Sequence, residues 1–276
     1  MPEQQPGNAG VDLDLLPLAA PCRVLAPSAP LHWLRMGWSD LRRAGLPSLF
    51  YGMLLTALSA LIAYATWRFG TLALYLGLAT GFVFIGPFLA MGLYSISYQL
   101  EIGRKPTLSY SLQEGRSHLP DTLVLGLCLL VVLLVWARAA TVMSIFQPDH
   151  AIDAWTDLLA YFGIGALVGL FFASIVLAAT AFSLPMLLDR RTDAITAVVT
   201  SINATLRNKL TLALWGALIA CLVLIGFATF LVGFVILMPL IGHATWHAYR
   251  SGIDASAWPP THEEAETVNP APDRDP

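Results

Sequence analysis

Long apolar stretches alternate along the chain with shorter segments whose apolar residues recur at helical spacing. The long stretches cover residues 46–67, 72–99, 122–143, 158–188, 211–225 and 226–249. A helix crosses the hydrocarbon core of a bilayer, about 30 Å thick, with roughly 20 apolar residues. The pattern therefore predicts an all-α fold, a polytopic membrane bundle of six transmembrane helices. The second and fourth stretches exceed what a crossing requires, so they tilt, kink or extend into water. Only the neighbourhood of Gly226 divides the fifth from the sixth, which demands a tight turn; the alternative is one re-entrant unit.

The short segments 31–44, 108–119 and 194–206 precede the first, third and fifth stretches, and each is amphipathic. Arg42 lies ten residues before Gly52, Arg116 ten before Gly126 and Arg207 nine before Gly216. Gly81-Phe82-Val83-Phe84-Ile85-Gly86-Pro87 in the second stretch matches Gly233-Phe234-Val235-Ile236-Leu237-Met238-Pro239 in the sixth, and the alignment sets Tyr94 against Trp246. The fourth stretch carries Pro185 at a similar depth. Self-similarity of this kind predicts three tandem units, each an amphipathic helix followed by a helix pair.

Charge orients such a bundle. Thirteen of the 15 basic residues fall in the segments before the first stretch, between the even and odd ones, and after the last. The opposite side keeps Arg68 and Arg138, with Asp149, Asp153 and Asp157. The excess of Lys and Arg on one side places both termini in the cytoplasm. The tails, 1–30 and 252–276, are rich in proline and polar residues and are expected to be disordered, leaving 31–251 as the membrane domain.

Composition agrees with burial in lipid. Hydrophobic residues make up 57% of the chain and charged residues 12%, against about 25% charged in a soluble domain. A net charge of -3 and the lack of an aligned basic stripe give no reason to expect nucleic acid. Cys22, Cys128 and Cys221 have no metal or redox spacing and read as packing residues.

Candidate chemistry is sparse. His243 and His247 are four residues apart and share one helical face. Two imidazoles so placed could ligate a metal, with His32 and Asp189 as candidate partners on the same side. The same stretch also reads as an interfacial anchor made of Trp246, Tyr249 and Arg250. Trp33, Arg35, Trp38, Arg42 and Arg43 form a second anchor on the first amphipathic segment, suited to anionic lipid. Pro87, Pro185 and Pro239 are kink or hinge positions. Gly163, Gly165 and Gly169 fit close helix contact. His118 and His150 lie in loops, and no nucleotide-binding, nucleophile-elbow or zinc-protease motif occurs.

Three passages carry a family resemblance. They are Leu31-His32-Trp33-Leu34-Arg35-Met36-Gly37-Trp38-Ser39-Asp40-Leu41, then Ala181-Phe182-Ser183-Leu184-Pro185-Met186-Leu187-Leu188-Asp189-Arg190, then Pro239-Leu240-Ile241-Gly242-His243-Ala244-Thr245-Trp246-His247-Ala248-Tyr249-Arg250. Together they resemble the bacterial DUF2189 family of predicted integral membrane proteins. The resemblance implies a membrane fold and a bacterial inner membrane. It implies no activity. Some members carry a cytochrome c oxidase label, but this chain lacks the spread of His ligands that a haem–copper core needs.

The function expected is that of a non-enzymatic inner-membrane scaffold or accessory subunit. Its partners would be the lipid bilayer and another membrane protein. A small-solute transporter or channel is the first alternative. A metal or haem accessory protein of a respiratory complex, built on His243 and His247, is the second. No cofactor is expected on the leading reading; haem or copper belongs to the second alternative alone.

Overall fold

The computed structural model describes residues 16–70, 72–144 and 155–261. The segment carrying Asp149, His150 and Asp153, and the outer tails 1–15 and 262–276, lie outside the described residues. The helices are α1 (Ala29–Ala44), α2 (Leu46–Phe69), α3 (Leu72–Glu101), α4 (Leu108–Ser117), α5 (Leu119–Ser144), α6 (Trp155–Thr180), α7 (Ser183–Asp189), α8 (Ala194–Arg207), α9 (Lys209–Ala228) and α10 (Phe234–Gly252). Among the described residues, extended pairing is confined to two isolated bridges, Cys22 with Ile253 and Arg190 with Pro260.

The order follows the three-unit pattern. A short amphipathic helix (α1, α4, α8) runs through one joint residue, Gly45, His118 or Asn208, into a long apolar helix (α2, α5, α9). A second helix then returns. Gly45 turns with φ 59°, a conformation that glycine adopts without strain. Asp193 caps α8 by accepting from the Ile195 and Thr196 amides at 2.8 and 3.0 Å, a type of cap contributing about 1 kcal/mol. The units close on one another in a ring. Helix α4 packs on α3 and α8 on α7, while α1 packs on α10, at the far end of the chain. The return helices α3, α7 and α10 meet at the centre.

Two zones result. The described parts of α2, α5, α6 and α9 are apolar and largely unburied, with Trp67, Leu134, Leu167, Leu170 and Leu224 on their outer faces. At the other end lies a packed base made of α1, α4, α7, α8 and the C-terminal halves of α3 and α10. Phe182, Met91, Met186 and Trp246 are fully buried there. Helix α3 joins the zones. Its 30 residues extend about 45 Å, and its C-terminal part, including Met91, Leu93 and Ile96, enters the base core.

Among the described residues, four stretches are long and apolar enough to cross a membrane: Leu46–Phe69, Leu119–Val142, Gly163–Asp189 and Lys209–Ala228. They overlap the first, third, fourth and fifth of the six expected stretches. The fourth is not one continuous rod. It breaks at Ala181 and Phe182, where Ser201 of α8 accepts the Phe182 amide at 3.1 Å and donates to the Ala178 carbonyl at 2.7 Å. Pro185 then sits in the first turn of α7, where its missing N–H costs little, and all of α7 is buried. The sixth stretch starts at Phe234 instead of Gly226, because the turn occupies 229–233, with Phe230 and Leu231 at positive φ. Its apolar run, 234–241, is about 12 Å long, well short of a crossing. The rest of α10 lies in the base.

Both expected tails are corrected where they are described. Residues 16–28 run as a strap across the base. Ala20 donates to Thr200 Oγ1 at 2.9 Å, and Asn208 Oδ1 accepts the Leu25 amide at 2.8 Å. The opposite end pairs with it: Arg23 N to the Gly252 carbonyl and Asp254 N to the Pro21 carbonyl, both 2.8 Å. Cys22, Ile253, Ala255 and Trp258 are buried. Proline-rich composition signalled disorder, but these backbone groups find partners that no local pattern reveals. The described segments 16–28 and 252–261 therefore lie on the same side of the bundle. The glycines expected at close contacts are also revised. A Cβ added at Gly163 or Gly169 would meet open space, whereas one at Gly37 would lie 2.7 Å from the Ala244 amide nitrogen and one at Gly52 would strike the Val235 carbonyl.

Candidate functional site

The base is organised around the C-terminal half of α10. Gly37 of α1 and Gly52 of α2 let those helices approach the α10 backbone, and Pro239 packs beside Gly52. That close grip fixes the direction of each polar side chain on the next two turns.

His243 is fully buried. Its Nε2 lies 2.8 Å from Ser48 Oγ on α2, and its Nδ1 lies 2.7 Å from Ser97 Oγ on α3. A neutral imidazole satisfies both, donating from one nitrogen and accepting at the other. His247, one turn on, places Nε2 2.7 Å from Asp40 Oδ2 on α1. The other oxygen of Asp40 accepts from Arg43 at 2.6 Å, and Arg43 reaches solvent. Burial pushes the Asp40 carboxyl up, but the hydrogen bond and charge of His247, with help from His243 and Ser97, outweigh it and hold the group below its ordinary value.

A second cluster lies around the same turns. Trp246 Nε1 donates to Glu101 Oε2 at 2.9 Å, and Arg250 donates to Glu101 Oε1 at 2.7 Å. Asp189, at the end of α7, is almost fully buried and accepts from the Tyr249 hydroxyl at 2.6 Å, Arg190 Nε at 3.0 Å and Arg250 at 3.3 Å. Arg190 also donates to the Trp258 carbonyl at 3.0 Å. A carboxylate so placed is held by charged and hydroxyl donors, which offset its desolvation.

The expected anchors divide. Trp38, Arg35 and Arg42 lie on the outer face of α1, with the Arg42 guanidinium 4.9 Å above the Trp38 ring. Trp33, Trp246 and Tyr249 are corrected: they are interior residues with almost no exposed surface. Trp33 meets Trp215 edge to face, with centroids 5.7 Å apart, and donates to Ser251 Oγ at 2.8 Å. Arg43 and Arg250 are tied into the two ion-paired clusters. Pro87 lines a cavity described below, Pro185 opens α7 and Pro239 is buried within α10.

The two histidines do not share a ligand set. Both nitrogens of His243 face serine hydroxyls, His32 is exposed on α1, and Asp189 turns to Tyr249 and the arginines. Among the described residues no group of three His, Cys, Asp or Glu side chains gathers in a way that could hold a metal ion. The donor set therefore does not fit a metal or a haem iron. Nor is there a Ser–His–Asp relay on one ring, since the serines bind one histidine and the aspartate the other. Ser48, Ser97, Asp40 and Glu101 had no role in the sequence reading. Their separation from α10 in the chain hides them, although Asp40 sits inside the passage Trp38-Ser39-Asp40 that carries the family resemblance.

The fold and this base define the class: an all-helical protein whose long apolar helices rise from a folded polar-laced base. Over residues 74–189 the chain matches the model of the DUF2189 family, described as a predicted integral membrane protein. The match takes in α4, α5, α6, α7 and most of α3. Of the three passages that suggested the resemblance, the second falls within it up to Asp189, while 31–41 and 239–250 lie outside. No curated protein and no solved structure matches the chain.

Proposed function

We propose that this integral membrane protein is a non-enzymatic scaffold or accessory subunit of the bacterial inner membrane, with both ends of the chain cytoplasmic. On this reading the base is its cytoplasmic face, and α3 and α10 complete the membrane-embedded part beside the four spans and bring the chain back to the base. The observation that carries the proposal is the packing where the return helices meet. Met91, Phe182, Met186, His243 and Trp246 are fully buried at the axis of the base, so the end of the bundle is filled with side chains and hydrogen bonds. A route for a polar solute needs hydrated polar walls along that axis. The excess of basic residues on the base side supports the cytoplasmic placement. The partner-facing surface on this reading is the outer face of α1 with Arg35, Trp38 and Arg42.

The test has two arms on the full chain. In the first, purified protein in liposomes is assayed for flux of ions and small polar solutes; the expected result is the leak of protein-free vesicles. In the second, photo-cross-linkers at Trp38 and Arg35 are activated in native membranes; the expected result is a discrete adduct with one membrane protein. Saturable solute flux overturns the scaffold reading in favour of transport.

A further inference from the structure

We infer that the cavity between α3, α5 and α6, closed at one end by α7, is a binding site for one acyl chain of a bilayer phospholipid. The inference rests on α5 and α6 lying in the bilayer and is independent of the scaffold reading. The cavity encloses about 530 Å³, within the roughly 300–1,000 Å³ typical of ligand sites. Its walls are hydrocarbon: Pro87 and Ala90 from α3, Leu133 from α5, and Gly169, Phe172 and Val176 from α6. The hydroxyl of Thr180, at the lower end, is already bonded to the Val176 carbonyl at 2.8 Å. The indole N–H of Trp136 on α5 is the polar group this lining adds, one donor in a wall that is otherwise hydrocarbon.

The occupant follows from what the cavity opens onto. Its rim is continuous with the outer faces of α5 and α6, where Leu134, Leu167, Leu170 and Phe171 are exposed. Hydrocarbon is the solvent of those faces in a membrane. Length also fits. From Gly169 to Thr180 the cavity follows eleven helical rises, about 16 Å, and one leaflet is half of a core about 30 Å thick. Leu184, beyond Thr180, belongs to the buried base, so the cavity runs from the membrane surface toward the midplane, as an acyl chain does. Gly169 keeps the space open, because an added Cβ there would touch nothing.

The experiment uses the full chain in mild detergent with added palmitoyl-oleoyl phosphatidylglycerol or phosphatidylcholine, read by native mass spectrometry. One phospholipid is expected to stay bound, equally for the two headgroups. Gly169→Leu and Ala173→Leu, singly and together, should lose it while keeping the wild-type helical melting curve. Equal retention in the filled variants, retention that follows headgroup charge, or an isoprenoid quinone bound in its place would overturn the inference. A phospholipid with a photoactivatable acyl chain tests it without any substitution. Adducts should concentrate on 129–136 and 169–180; adducts spread evenly over the exposed faces of α2 and α9 would count against a site.

Discussion

Asp40 and His247 face each other at 2.7 Å across the contact between α1 and α10, the first and last helices among the described residues. The pair is where the ring of three units closes. Asp40 is almost completely buried, while its second oxygen is held by an arginine that reaches water. Asp40→Ala should therefore destabilise the protein by about 2 kcal/mol, as expected when a charged hydrogen bond is lost from a buried site. Chemical unfolding in detergent would measure this. An unchanged midpoint would mean that the pair holds nothing together.

The same carboxylate sets an acid limit. Its proton affinity is lowered in the folded state, so the unfolded chain binds protons more readily in the range between the two values. Stability from Asp40 is present above the unfolded value, about 4, and is lost as pH falls through the lower folded value. Asp193, the cap of α8, is shifted the same way: burial raises it, but its bonds to Thr196 and Ile195 outweigh that. Unfolding midpoints recorded from pH 6 downward should fall below about pH 4, and Asp40→Asn should flatten part of that slope. A variant with the wild-type slope would assign the acid sensitivity elsewhere.

His243 tests how tightly the buried serines depend on it. His243→Leu keeps much of the volume but leaves the Ser48 hydroxyl without its partner, while Ser97 keeps its bond to Asp40. A buried orphan costs about 1–3 kcal/mol, so a loss of about 2 kcal/mol is expected. Adding Ser48→Ala should recover most of it, because removing both partners together leaves nothing unsatisfied. If the double variant is as unstable as the single one, the cost comes from packing around the ring. The geometry also bears on metal binding: His243→Ala/His247→Ala should leave the metal content and visible absorbance of the purified protein unchanged.

Much of the architecture was legible in the chain. The apolar runs located α2, α5, α6 and α9, and the amphipathic segments located α1, α4 and α8, because both are local patterns with helical periods. The proline repeat found the helices that meet at the centre. What the pattern could not show is depth. Residues 239–250 mix apolar and polar side chains, which suits a membrane interface and a hydrogen-bonded protein core equally. The partners that decide between them, Asp40, Ser48, Ser97, Glu101 and Asp189, lie 60 or more positions away in the chain. The strap of residues 16–28 was hidden for a related reason: its backbone pairs with Gly252, Asp254 and Asn208.

Trp33 and Trp38 turn that ambiguity into a direct comparison. Five residues separate them on α1, which sets them about 140° apart around a helix of 3.6 residues per turn. Trp33 points inward, edge-on to Trp215 and bonded to Ser251, whereas Trp38 is exposed beneath Arg42. Trp33→Ala should cost about 3–5 kcal/mol, the range for emptying a buried aromatic site. Trp38→Ala should stay within about 0.5 kcal/mol of the wild type, as surface changes do. Fluorescence in vesicles separates them independently, since a headgroup-level quencher should lower the wild-type signal less in Trp38→Phe and equally in Trp33→Phe. Similar unfolding midpoints for the two alanine variants would contradict the inward placement of Trp33, and with it the packing of α1 onto α9 and α10.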